Sequence, residues 1–421
     1  MYDVNLSEEL FKPHFDYVET SLISNSGSPL PTLSKNDFAL GFGFDPSFYR
    51  PIHKFLWVIG GGNLLDIDEA LANISKGIGK RSRESCLDTI SEYGPGNWIY
   101  EFCTIAQRRV NNAHQALETN DLNKACHNFR MASRYFAIAA YPNLKGDVLA
   151  LNADVLCRKY YKQMYQIDPN SHPLVEESFL VDGKKVTGYL HLPTTDKVLP
   201  CVIAVCPYEN SITSYYQLFN NYFKQRNIAM FVLEMPGIGA CSKLNLDDHY
   251  SDFVEKAIEH VASLKYIDST KIALIGSELS AATCIRASAL SEIKVKAQVL
   301  TRPFVHSIFT NIDYLNAIPL CLRSSFCNRL NLDAKNWDIL LPRFRSFSLK
   351  EQGILSSSNK NTTPTLICSV KNSSVSATDI ELLEHNFKDI SIYTHENKGY
   401  AVFAKDALGQ MIAFLDEKLN S

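Results

Sequence analysis

No apolar run in this chain reaches the roughly 18–20 residues that a membrane-crossing helix takes, and the short apolar run near the start, Phe55–Ile59, falls far below it. Charge of one sign is also lacking: 42 Lys and Arg stand against 45 Asp and Glu, a net −3, which excludes the basic footprint of a nucleic-acid or membrane-surface binder. The eleven cysteines include no Cys-x-x-Cys pair. Their number is odd, and several (Cys201, Cys206, Cys284, Cys368) lie inside apolar runs, which argues against a disulfide framework or a zinc site and for reduced, buried thiols. The start, MYDVNLSEEL, is acidic and polar and lacks a signal-peptide pattern. The expectation is a cytoplasmic protein with no metal and no cofactor, whose partner is a small molecule or another protein.

What is present is enough for two cores. A length of 421 residues, with 46% hydrophobic and 21% charged residues, suits a soluble chain of one large and one smaller domain. Met1 to about Pro51 is polar and aperiodic and reads as an irregular arm. From Asn63 to Asp168 the spacing predicts helices over Leu65–Ile78, Ser85–Tyr93, Trp98–Leu117, Asn123–Ala140 and Asp147–Met164, punctuated by Gly94-Pro95-Gly96, Thr119–Asp121 and Tyr141-Pro142. This gives a helical N-terminal domain, with its arm, over residues 1–170.

Near Ser171-His172-Pro173 the period changes. Ser178–Val181 and Lys185–Leu192 flank Asp182-Gly183 and predict a hairpin. Strand-like runs then alternate with helix-like ones: Cys201–Cys206 and Tyr215–Gln225, Ala229–Glu234 and Asp252–Lys265, Ile272–Ile275 and Ala281–Leu290, Val295–Leu300, Thr365–Ser369 and Asp379–Phe387, Ile390–Tyr393 and Ala401–Leu419. Strands apolar throughout, separated by amphipathic helices, predict an α/β domain over 171–421, an eight-stranded, mainly parallel sheet covered on both faces. An insertion at about 304–362, with helix-like pieces at Ile312–Leu322 and Ala334–Leu341, is placed to form a lid over the strand ends.

Lys271–Arg286, KIALIGSELSAATCIR, reads as strand, sharp turn and helix. In the α/β-hydrolase fold this unit carries Gly-x-nucleophile-x-Gly, whose small flanking residues permit the strained turn that lifts the nucleophile over the sheet. Here the flanks are Gly276 and Ser280 and the centre is Glu278. A serine hydrolase of this fold also needs an acid and then a histidine on later strand-end loops. The loop after Thr365–Ser369 has Ser373 where an aspartate is expected, and Tyr400 occupies the turn where histidine normally sits, with His395 at the start of that loop. The loop after Cys201–Cys206 should supply oxyanion donors, but Pro207 has no N–H, which leaves Tyr208.

Six peptides carry a resemblance over nearly the whole chain: Asn5–Pro13 (NLSEELFKP), Gly96–Glu101 (GNWIYE), Ile138–Asp147 (IAAYPNLKGD), Met235–Lys243 (MPGIGACSK), Pro303–His306 (PFVH) and Ser348–Leu355 (SLKEQGIL). With them the sequence resembles the FrsA family of fermentation–respiration switch proteins. The resemblance implies an α/β-hydrolase fold, weak carboxylesterase activity, a link to the glucose-specific IIA protein of the phosphotransferase system, and a cofactor-independent pyruvate decarboxylase role that has been proposed for the family. The family pattern has an arginine at the elbow centre and Gly-Gly-Leu-Asp after the third strand. Here these positions hold Glu278 and Cys206-Pro207-Tyr208-Glu209, while His306 matches. Arg302 stands where the family has glycine and is expected to pair with Glu278.

Two functions follow. One is a residual hydrolase of small esters, with Glu278 and His306 as catalytic residues and Tyr208, Glu209 and Arg302 holding the substrate; a carboxylate at a helix N-terminus is favoured in its ionised form. The other is a non-catalytic, pseudoenzyme-like member that binds a ligand or a protein and regulates the balance of fermentation and respiration. In both, Tyr208, Glu209, Glu278, Arg302 and His306 are expected in one pocket beneath the inserted segment.

Overall fold

The structure is a computed structural model that describes residues 47–169, 172–207, 210–356, 358, 360–371, 376–396 and 399–420, with only the backbone given for Asn336, Ser376 and Tyr400. A short helix α1 (Lys54–Ile59) leads into α2 (Leu64–Lys76) and then into three long helices, α3 (Trp98–Glu118), α4 (Leu122–Ala140) and α5 (Val148–Ile167). Each long helix starts where an Asn or Asp side chain accepts a hydrogen bond from an otherwise unpaired backbone N–H: Asn97 from Tyr100, Asp121 from Lys124 and Asp147 from Ala150.

The expected helix over Ser85–Tyr93 is replaced by irregular turns closed by a bridge between Arg81 and Ile90. The hydroxyl of Thr89 donates to the carbonyls of Arg83 and Cys86, a local alternative that competes with helical pairing.

The sheet follows, with strands β1 (Leu174–Val181), β2 (Lys184–His191), β3 (Leu199–Val205), β4 (Ala229–Leu233), β5 (Ile267–Ser277), β6 (Ala297–Thr301), β7 (Thr365–Val370) and β8 (Ile390–His395) in the order β1-β2-β4-β3-β5-β6-β7-β8. The pair β1–β2 is antiparallel around Asp182-Gly183, both at positive φ, as a two-residue hairpin requires. β2 also pairs antiparallel with β4, whereas every pairing among strands β3 to β8 is parallel, and β5 lies in the middle of the sheet between β3 and β6.

The remaining helices are α6 (Asp252–Ala262), α7 (Leu279–Leu290), four in the inserted segment, namely α8 (Ser307–Thr310), α9 (Ile312–Ala317), α10 (Leu320–Arg329) and α11 (Trp337–Phe344), then α12 (Ser376–Asn386) and α13 (Tyr400–Asn420). The single helix expected over Ile312–Leu322 is broken because Pro319 forces Ile318 out of helical geometry (φ −60°, ψ 127°). The expected helix over Tyr215–Gln225 is a mixture of tight and wide turns that ends at Asn227 in the left-handed region.

Alternate residues of the strands serve two layers. Val202, Ala204, Met230 and Val232 pack in one continuous core with α3, α4, α5 and α13, while Cys201, Ile203, Phe231 and Leu233 pack with α6 and α7. The long helices therefore share a core with the sheet. A buried ion pair joins them: Arg158 on α5 reaches Glu234, just past β4, at 2.6 Å. Gly239 is required there, because a Cβ at its positive φ would collide with the Arg158 guanidinium. No helix among the described residues is long and apolar enough to cross a membrane, and all eleven cysteines are free thiols.

Candidate functional site

At the end of β5 the chain turns through Glu278, whose backbone (φ 57°, ψ −118°) lies in a region that a non-glycine residue occupies only at a cost of about 1–3 kcal/mol. The turn is held on both sides. The Glu278 N–H donates to Thr301 O at 2.9 Å, and Phe304 N–H donates to Glu278 O at 3.2 Å. Ser280 is buried, and its hydroxyl accepts from Ser277 N–H (2.8 Å) and donates to Ser277 O (2.9 Å), so it closes the turn instead of facing the cavity. A Cβ on Gly276 would lie 2.5 Å from Ser280 O, which is why the flank before the turn must be glycine. This is the geometry of a nucleophile elbow with a glutamate at its centre.

Arg302 follows β6 at positive φ (46°), its N–H donating to Cys368 O at 2.9 Å. Its guanidinium forms an ion pair with Glu278 Oε1, with side-chain exposures of 10% and 31% respectively. Both residues line a cavity of about 330 Å³ whose remaining walls are mostly apolar, among them Phe304, Phe309, Phe326 and Trp337.

The five residues singled out from sequence are thus only partly brought together. Glu278 and Arg302 meet. Tyr208 and Glu209 lie outside the described residues, although Pro207 and Asn210 on either side line the cavity. His306 lies elsewhere: its ring Nδ1 is 2.7 Å from Ser348 Oγ, and it lines a shallow recess with Thr310 and Thr378, not the cavity over Glu278. Burial lowers its pKa, with Asp379 acting in the opposite direction. The buried Asp379 carboxylate fixes this corner, accepting from the backbone N–H groups of Val305, His306 and Ser307 and from the Ser307 hydroxyl. His395 is buried and turned to α13, with Nε2 3.1 Å from Asp406 Oδ2. Ser373 lies outside the described residues, and Tyr400 is placed only as the first residue of α13.

Sequence reasoning missed His53. It precedes α1 and lines the cavity, where burial, then Arg302, then Arg134 lower its pKa to about 4. His191, on β2 beside Tyr165, is lowered by burial to about 3. Both imidazoles are neutral in the fold near neutral pH, whereas the unfolded chain takes up their protons near 6.5. The unfolded state therefore binds more protons between about 6.5 and about 4, and stability falls as pH drops through that window. Urea midpoints measured from pH 7.5 to 4.5 should decline, with a shallower slope in His53→Asn and in His191→Asn. Slopes equal to wild type in both variants would contradict this assignment.

Among the described residues no three His, Cys, Asp or Glu side chains come together to hold a metal ion. The geometry provides a strained elbow carboxylate, a guanidinium closed on it and a neutral imidazole, all facing an apolar chamber. It can orient a polar group, but among the described residues it does not assemble a serine, a base and an acid in sequence.

Comparisons with known proteins agree with this architecture. A family model described as FrsA-like, esterase FrsA-like, matches residues 1–420. The chain is 28% identical over 371 residues to Esterase FrsA of Photobacterium profundum, covering 88% of this chain and 87% of that protein. It is 32% identical over 359 residues to Esterase FrsA of Salmonella paratyphi B, covering 84% of each. Among solved structures, the 2,6-dihydroxy-pseudo-oxynicotine hydrolase aligns with a TM-score of 0.67 at 14% identity over 86% of this chain and 95% of its own. AbyA5 aligns with a TM-score of 0.60 at 17% identity over 78% of this chain and 94% of its own. At such identities the structural likeness concerns the fold.

Proposed function

This chain belongs to the FrsA-like esterase family, with an α/β-hydrolase fold, and from that premise we propose that it uses the esterase scaffold mainly to bind a small molecule over the elbow, with ester hydrolysis weak at most. The observation that carries this reading is the ion pair of Glu278 and Arg302 at the place where the fold presents its nucleophile. A serine nucleophile depends on a neighbouring base, and much of the rate of a triad is lost when one member is missing. Here the elbow centre is a carboxylate engaged by a guanidinium, and the hydroxyl of Ser280 is used within the turn. A cytoplasmic location accords with eleven free thiols.

The test is a serine-directed phosphonate probe, read by intact mass, beside hydrolysis of p-nitrophenyl butyrate. Substoichiometric labelling and turnover close to the uncatalysed rate are expected. Stoichiometric labelling mapped to Ser277 or Ser280 would overturn the reading.

A further inference from the structure

We infer that the cavity over the elbow selects an uncharged molecule presenting a carbonyl oxygen and an N–H on one edge, a primary amide or a lactam, carried on an apolar, preferably aromatic, body. This rests on the reading of the elbow as a binding site and specifies what it binds.

The chamber sets the body. At about 330 Å³ it lies at the small end of ligand pockets, which run from about 300 to 1,000 Å³. Five aromatic side chains, Tyr141 among them, line it, which suits a bicyclic ring system held by edge and face contacts.

The pair sets the head group. A carboxylate and a guanidinium side by side offer an acceptor next to donors. Glu278 retains 31% side-chain exposure, and one carboxylate has about four acceptor positions, more than a single guanidinium contact occupies. An amide edge is the complement of this surface: its N–H donates to the Glu278 carboxylate while its carbonyl accepts from the Arg302 guanidinium. Both bonds are charge-assisted.

Each alternative loses one of these two bonds or meets a like charge. A carboxylate ligand meets Glu278 as a like charge and must compete with it for Arg302. An ammonium ligand finds an acceptor in Glu278 but has nothing to accept from Arg302 and brings a like charge against it, with Arg134 close enough to His53 to depress its pKa as well. An ester of the same shape keeps the carbonyl but brings an ester oxygen, an acceptor, against the carboxylate, leaving the Glu278 acceptor desolvated and unmatched. His53, neutral and able to donate or accept, adds no charge preference of its own.

The experiment is calorimetric titration of the full-length protein with four ligands sharing one body: naphthylacetamide, methyl naphthylacetate, naphthylacetate and naphthylethylammonium. The Trp337 contribution to intrinsic fluorescence, isolated with Trp337→Phe, provides a second readout at the cavity. The amide should bind about tenfold more tightly than the ester, the worth of one charge-assisted hydrogen bond, and the two ions more weakly still. Glu278→Leu should abolish the preference of amide over ester. Leu322→Trp, which fills the cavity from α10, should remove binding of all four. Equal affinity for amide and ester, tighter binding of either ion, binding of none of the four, or amide binding unaffected by Leu322→Trp would each overturn the inference. A phosphonate-labelled serine with the amide preference intact would count against the proposed function alone; an unlabelled protein that prefers the acid would count against this inference alone.

Discussion

Replacing Glu234 by alanine should lower the stability of the fold by about 3–5 kcal/mol, the range for breaking a buried charge pair from one side. The Glu234 side chain is fully buried, and its carboxylate accepts from Arg158 Nη2 (2.6 Å) and from the backbone N–H groups of Ile212 and Ala240 (2.9 Å each). Truncation leaves two backbone donors unmatched and removes one of the two carboxylates on Arg158, the other being Asp154 at 2.8 Å. Because this contact joins α5 to the end of β4, the loss should appear in one cooperative transition and not as separate melting of the helices. Urea unfolding monitored in parallel by helical circular dichroism and by tryptophan fluorescence checks both points. A loss below about 1 kcal/mol, the size expected of an exposed pair, would show that the pair carries little of the interface.

Replacing Arg302 by methionine should cost about 1–3 kcal/mol. That is less than for a fully buried pair, because Glu278 remains nearly a third exposed and sits at the N-terminus of α7, where the helix dipole favours its charge. The complementary change, Glu278→Gln, frees the guanidinium from this carboxylate and should raise affinity for naphthylacetate at least about tenfold, since a guanidinium and a carboxylate form strong charge-assisted bonds. Titration of wild type and Glu278→Gln with the same acid decides this. Unchanged affinity would mean that Glu278 does not control access to Arg302.

The sequence made the architecture legible because its signals are local and redundant. Each parallel strand is an unbroken apolar run, the hairpin turn is spelled Asp182-Gly183, and the elbow follows from small residues at Gly276 and Ser280 around Glu278. The Glu278–Arg302 contact was legible for a related reason, since both residues fall within one position of a parallel strand end and adjacent strands bring them side by side.

His306 shows the limit of that argument. It stands five residues past Thr301, far enough for the chain to turn onto Asp379 and Ser348, and no sequence pattern announces a carboxylate seventy-three residues away. His53 left no signal either, because it precedes α1 in a stretch without period and reaches the cavity only through tertiary packing. The helix misread over Ser85–Tyr93 was lost to hydrogen bonds of a single hydroxyl, that of Thr89, which a hydrophobic pattern does not record.

The most direct test of a paired elbow is a double-mutant cycle on Glu278 and Arg302, with unfolding free energies measured for wild type, Glu278→Gln, Arg302→Met and the combination. A paired elbow predicts a coupling energy above about 1 kcal/mol, with the double variant more stable than the sum of the single losses allows. Additivity within about 0.3 kcal/mol, the behaviour of independent sites, would contradict it.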